Sequence, residues 1–191
     1  METWLSIAYV VCQMLADIGS LRIVAPFGLS FDAGTLVYPL TFTLRDLVHK
    51  KTSKEFARKL VICAAIVNVI MVMFFWIVGR LPPDLTIGLQ LEFIQLLSPV
   101  WRITVASIVA EVASELLDTE TYHFFRNTQP WKRVLFSNSL SVPVDTIIFC
   151  IIAFYGSFSF NTLLAIVWSN ILLKMIITIL SIPSIYAIKG E

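Results

Sequence analysis

"ASIVAEVASELLDTETYHFF", residues 106–125, has the texture of an apolar helix, yet it carries Glu111, Glu115, Asp118 and Glu120. Ser107, Glu111, Glu115, Asp118 and Tyr122 recur at i, i+4, i+8, i+11 and i+15. On a helix of 3.6 residues per turn that is a single stripe. Glu120 falls on the other side, near the helix end, and reads as solvated. The surrounding chain decides where such a helix must lie. Of the 191 residues, 58% are hydrophobic and 14% charged, and the mean hydropathy is +0.84. A soluble domain is nearer a quarter charged. The helix therefore sits in a membrane, and its carboxylate stripe cannot face lipid. It has to face the interior of a bundle, where it calls for positive partners, donor-rich ligands or protons.

Working outward, six apolar segments separate cleanly: about Trp4–Ile23, Gly34–Val48, Ala57–Val78, Pro99–Phe125, Val134–Tyr155 and Thr162–Ile188. The second is short for a span and suits a tilted or re-entrant course. Ser98 and Pro99 suit the start of the fourth helix, and residues 89–97 suit a short interfacial helix leading into it. The expected fold is all-α, a single six-helix transmembrane domain over residues 1–191. No internal repeat, low-complexity run or second domain is evident. The N-terminus lacks the basic region and small-residue pattern of a cleavable signal.

Basic residues set the orientation. "RDLVHKKTSKEFARK" between the second and third segments holds six of them, Arg45, Lys50, Lys51, Lys54, Arg58 and Lys59. Arg126, Lys132 and Arg133 lie between the fourth and fifth, and Lys189 follows the sixth. The opposite side has Arg22 and Arg80. Both termini are expected in the cytoplasm. A net charge of +1 gives no case for nucleic acid. Cys12, Cys63 and Cys150 all sit in apolar runs and read as small buried hydrophobes, not a disulfide framework. Tryptophans near the segment ends suit an aromatic belt.

Polar groups at membrane depth carry the functional signal, because a charge at the bilayer centre costs at least about 2.5–3.5 kcal/mol. Beyond the stripe these are Gln13, Asp17, Arg45, Asp46, Asn68, Arg102, Asn138, Asp145, Asn170 and Lys174. Asp145 and Lys174 lie near mid-helix and are expected either to pair or to line a substrate cavity. Arg102, in the first turn of the fourth helix, either snorkels outward or gates the cavity mouth. Asn68, Asn138 and Asn170 read first as interhelical glue. Tyr38, Phe42, Trp101 and Trp168 are candidates to stack on a flat ring. His49 and His123 have no partner spacing, so no metal site is expected. No Walker, HExxH or Ser-His-Asp pattern supports ATP hydrolysis or proteolysis.

"YPLTFTLRDLVHKKTSKEFAR", "RITVASIVAEVASELLDTETYHFFR", "SLSVPVDTIIFCIIAFYG" and "NILLKMIITILSIPSIYAI" resemble the VUT/YhhQ family of queuosine precursor transporters. The similarity runs through nearly the whole chain in the same order and spacing. Tyr38-Pro39, Asp46, Arg102, Ala106-Ser107, Asp118, Asp145-Thr146 and Lys174 carry it. The chain departs from the family pattern after Asp46, where "LVHKKTSKEF" lacks the usual Glu and aromatic–Gly pair. The resemblance implies an inner-membrane importer of 7-deazaguanine bases, with queuine among the candidates, that needs no cofactor and is not an enzyme. The expected substrate-binding set is Asp46, Arg102, Glu111, Glu115, Asp118, Asp145, Lys174, Asn68, Trp101 and Phe42. A carboxylate accepts paired N–H groups from a guanine-like edge, and aromatic stacking on such a ring is worth about 1–3 kcal/mol. Proton coupling and facilitated diffusion with metabolic trapping both fit the carboxylates. A homodimer is expected from size alone. The alternative is a substrate-binding subunit of a multicomponent vitamin transporter, for which Ala8, Cys12, Ala16 and Ser20 give a weak docking stripe.

Overall fold

The computed structural model describes the backbone of residues 2–125 and 128–187; the side chains of Asp46, Glu115, Asp118, Glu120, Tyr122, His49 and His123 lie outside the described residues. Among the described residues seven α-helices follow one another: α1 (Glu2–Gly19), α2 (Tyr38–Lys51), α3 (Lys54–Val78), α4 (Leu91–Leu97), α5 (Val100–Phe124), α6 (Pro130–Phe154) and α7 (Phe160–Ala187). The segment limits expected from hydropathy hold to within a few residues for α3, α5, α6 and α7, and a short helix, α4, leads into α5.

Local chemistry sets the ends. Ser53 Oγ accepts from the Phe56 N–H at 3.2 Å, capping α3. Pro39 and Pro130 stand in the first turns of α2 and α6, where a missing N–H costs nothing. Pro143 inside α6 removes one rung of its ladder, two residues before Asp145.

Among the described residues four helical stretches are long and apolar enough to cross a membrane: Glu55–Val78, Leu91–Ser114, Leu135–Phe154 and Phe160–Leu180. Thr3–Gly19 is apolar but shorter. At 1.5 Å per residue the 14 residues of α2 reach about 21 Å, less than a hydrocarbon core of about 30 Å.

The two short helices are joined by the main departure from an all-α chain. Residues 20–37 do not simply continue the first helix to Ile23 or start the second at Gly34. They form a miniature hairpin, β1 (Ile23–Val24) antiparallel to β2 (Phe31–Asp32), followed by a 3-10 turn at Ala33–Leu36. The reason is local. Asp32 caps the 3-10 turn by accepting the Thr35 N–H at 3.1 Å. Gly34 packs directly on α1, where a Cβ would collide with the Ala16 carbonyl and Ser20 Oγ.

The bundle is built inside out relative to a soluble protein. Ile62, Ile66, Ile70, Phe74, Trp76 and Ile77 of α3 point outward, as lipid contact requires. Inside, α5, α6 and α7 meet around Ile103, Ala106, Ala110, Cys150, Phe154 and Ile166. The small residues let α5 and α6 approach closely. A second cluster, Tyr9, Val48, Leu60 and Ala64, joins α1, α2 and α3. Buried polar side chains, among them Asp17, Asn68, Thr104, Asp145, Asn170 and Lys174, lie in the interior as well.

Candidate substrate cavity

A cavity of about 290 Å³, its mouth included, opens between α1, the hairpin, α2, α5, α6 and α7. Asp17, Asp32, Tyr38, Asp145, Phe149 and Lys174 are among the residues that line it. At its centre the Lys174 ammonium donates to Asp145 Oδ2 at 2.7 Å, with both side chains almost fully buried. Asp145 Oδ1 also accepts from Ser114 Oγ at 3.4 Å and Tyr38 OH at 3.5 Å. The same ammonium lies 4.8 Å from the centroid of the Tyr38 ring, within cation–π reach. The two charges expected near mid-helix are thus paired and also line the cavity. A buried pair is weak evidence for stability, since hydrophobic replacements are often as stable. Facing a cavity, it becomes a ready-made polar contact for a ligand.

Asp32 forms the hairpin side of the cavity. Oδ1 accepts from Ser20 Oγ at 2.7 Å and from Thr35 N; Oδ2 accepts from Thr35 Oγ1 at 2.9 Å and Asn170 Nδ2 at 2.6 Å. One carboxylate therefore ties α1, the 3-10 turn and α7 together. Asp17 sits on the α1 side, held by Ser107, Thr104 and Asn68. Glu111 lies one turn beyond Ser107 on α5 and accepts from Tyr9 OH at 3.0 Å and Gln13 Nε2 at 3.3 Å.

Of the expected binding residues, Asp145 and Lys174 line the cavity. Asn68 stands behind Asp17. Phe42 packs edge-on against Tyr38, with centroids 5.2 Å apart, and lies beneath the Arg45 guanidinium. The side chains of Asp46, Glu115 and Asp118 are outside the described residues. Arg102 and Trp101 sit elsewhere. Trp101 is exposed on the outer surface of α5. The Arg102 guanidinium donates to the carbonyls of Ile152 and Tyr155, at the C-terminal end of α6, where a cation complements the helix dipole. Arg102→Gln is accordingly expected to lower stability by about 1–2 kcal/mol while leaving the KM for uptake unchanged. Thermal unfolding in detergent and a concentration series of uptake check both halves, and a raised KM at unchanged stability would put Arg102 at the cavity mouth instead.

Sequence reasoning missed Asp32, Ser20, Thr35 and Tyr9. A signal was present for each. "DAGT", residues 32–35, is a capping sequence in front of a turn. Tyr9, Gln13, Asp17 and Ser20 follow i, i+4, i+8 and i+11 on α1, a polar stripe that matches the one on α5.

An apolar exterior, membrane-length helices and a charged cavity among them define a multi-pass membrane transporter. A family model described as "Putative vitamin uptake transporter" matches residues 32–188, and the chain belongs to that family of transporters. It is also 29% identical over 194 residues to the "Probable queuosine precursor transporter" of Bacillus subtilis (strain 168), covering 97% of this chain and 82% of that protein. No solved structure matches the chain.

Proposed function

We propose that the protein imports a queuosine precursor, a 7-deazaguanine base, across the inner membrane, and that the Asp145–Lys174 pair is its central contact. The observation that carries this reading is a buried opposite-charge pair beside an aromatic wall, Tyr38 and Phe149, all lining one cavity. A deazaguanine is flat, neutral and polar. Its adjacent ring and exocyclic N–H groups suit one carboxylate accepting two hydrogen bonds, and its ring carbonyl suits an ammonium. Asp145 and Lys174 offer both partners side by side. The base takes hydrogen bonds from and to the pair while the two opposite charges stay adjacent, so each keeps its counter-charge. The name of the Bacillus subtilis relative supports the same cargo.

In this reading the chain is one transport domain of six membrane segments, α1, α2, α3, α5, α6 and α7, with both termini in the cytoplasm. The basic connection between α2 and α3 faces inward.

The test is uptake of labelled 7-deazaguanine bases in a host unable to make them. Wild type should restore uptake and queuosine in tRNA. Asp145→Asn and Lys174→Ala, checked for membrane insertion, should not. The family description favours one second reading, a vitamin cargo. Uptake of vitamins with no uptake of any deazaguanine would replace the first reading with that one.

A further inference from the structure

Asp17 is not used by the contacts assigned above, and its surroundings are unusual. Asp17, Asp32 and Asp145 are each at most 2% exposed, and among the described residues Lys174 is the one buried cation. The charge-bearing interior thus holds more carboxylate than it matches. Lys174 is committed to Asp145. The partners of Asp17 are all neutral: Ser107 Oγ at 2.7 Å on Oδ1, and Thr104 Oγ1 at 2.8 Å and Asn68 Nδ2 at 3.1 Å on Oδ2. Neutral hydrogen bonds orient a buried carboxylate but leave its charge in place, and an ion taken out of water without a counter-charge costs several kcal/mol.

A second observation concerns a neighbour of Asp17. The Asn68 carboxamide, 4% exposed and already directed at Asp17, has its Oδ1 buried with no hydrogen-bond partner. Buried polar atoms of this kind ordinarily find one. Turned about its own axis, an amide exchanges its nitrogen and oxygen in nearly the same space; with a cation at Asp17, that oxygen faces the ion in place of the Nδ2 donation, and the NH2 takes the oxygen's present position. The two hydroxyls keep free lone pairs while donating to Asp17. One carboxylate, two hydroxyls and one carboxamide oxygen make a hard, all-oxygen set of single negative charge. Asp17 and Ser107 also line the cavity, which gives an ion a way in. Among the described residues there is no cluster of three His, Cys, Asp or Glu, so the chemistry is not that of a multivalent site.

We propose that Asp17, Ser107, Thr104 and Asn68 bind one sodium ion. The four residues come from α1, α5 and α3, so the ion clamps those helices beside the cavity and links its occupancy to their arrangement. Coupling of the sodium gradient to uptake rests on the transport reading; ion binding itself does not.

The experiment is thermal unfolding of the purified full chain in detergent, in sodium, potassium or choline chloride at equal ionic strength. At sodium about tenfold above its dissociation constant, mass action raises the unfolding temperature of a chain this size by about 3–6 °C. That rise should be specific to sodium and lost in Ser107→Ala and Asp17→Asn. Ser107→Ala removes a single hydroxyl, so it reports on the site even where Asp17→Asn fails to fold. Equal unfolding temperatures in the three salts would overturn the proposal. So would a rise that potassium reproduces, one that Ser107→Ala retains in full, or stabilisation by acid with no response to sodium. A sodium-specific rise in a protein that moves no deazaguanine leaves the ion site standing and removes the cargo. Base uptake indifferent to sodium, with no thermal rise, does the reverse.

Discussion

Lys174→Ala is expected to destabilise the protein by about 3–5 kcal/mol, the cost of leaving one member of a buried pair without its partner. Asp145 is 2% exposed, and its remaining partners, Ser114 and Tyr38, lie at 3.4 and 3.5 Å. Neither carries a positive charge to replace the ammonium. The double variant Asp145→Asn with Lys174→Met removes both charges at similar volume and should recover most of the lost stability, because neutralised pairs are often as stable as the ions. It should not recover transport. That split separates a structural from a substrate-binding role. If the pair serves packing alone, the double variant will fold and still transport. Thermal unfolding and uptake, measured on the same two preparations, decide between them.

Asp32→Ala is the second large effect. It strips four hydrogen bonds at once, from Ser20, the Thr35 amide, the Thr35 hydroxyl and Asn170. Each buried donor left unsatisfied costs about 1–3 kcal/mol. Some find water once the hairpin loosens, so a net loss of about 3–5 kcal/mol is expected. Because Asp32 joins the hairpin to α7 beside the cavity, the loss should appear locally first. Amide exchange should quicken across residues 20–37 before it does in α5 and α6. Asp32→Asn keeps one carbonyl acceptor and should fall about midway. Uniform acceleration across all helices would mean that the hairpin is not a separate unit.

The helices were legible because lipid imposes a simple rule. Long apolar runs with caps and prolines near their ends mark α3, α5, α6 and α7 to within a few residues. The hairpin was not legible in the same way. "SLRIVAPFGLSFDAGTLV", residues 20–37, is apolar enough to be read as the end of one span, a loop and the start of another. What organises it is a side chain from α7, Asn170, whose contact with Asp32 spans 138 positions in sequence. The site was half visible. Burying a charge is costly enough that Asp145, Lys174, Asp17 and Glu111 stood out from their positions within apolar segments. Their partners did not, since serines, threonines and tyrosines are ordinary in membrane helices and gain meaning only from what they touch. Arg102 shows the converse. A charge near a membrane helix end suggested either outward snorkelling or a mouth to the cavity, and in the structure it lies on the carbonyls that close α6.

The most direct test of the central claim is entry of a labelled 7-deazaguanine base into proteoliposomes holding the purified chain. Wild type should show saturable entry that excess unlabelled base competes away, and the folded Asp145→Asn, Lys174→Met double variant should show none. Absence of saturable entry by wild type, or equal entry by the double variant, would contradict it.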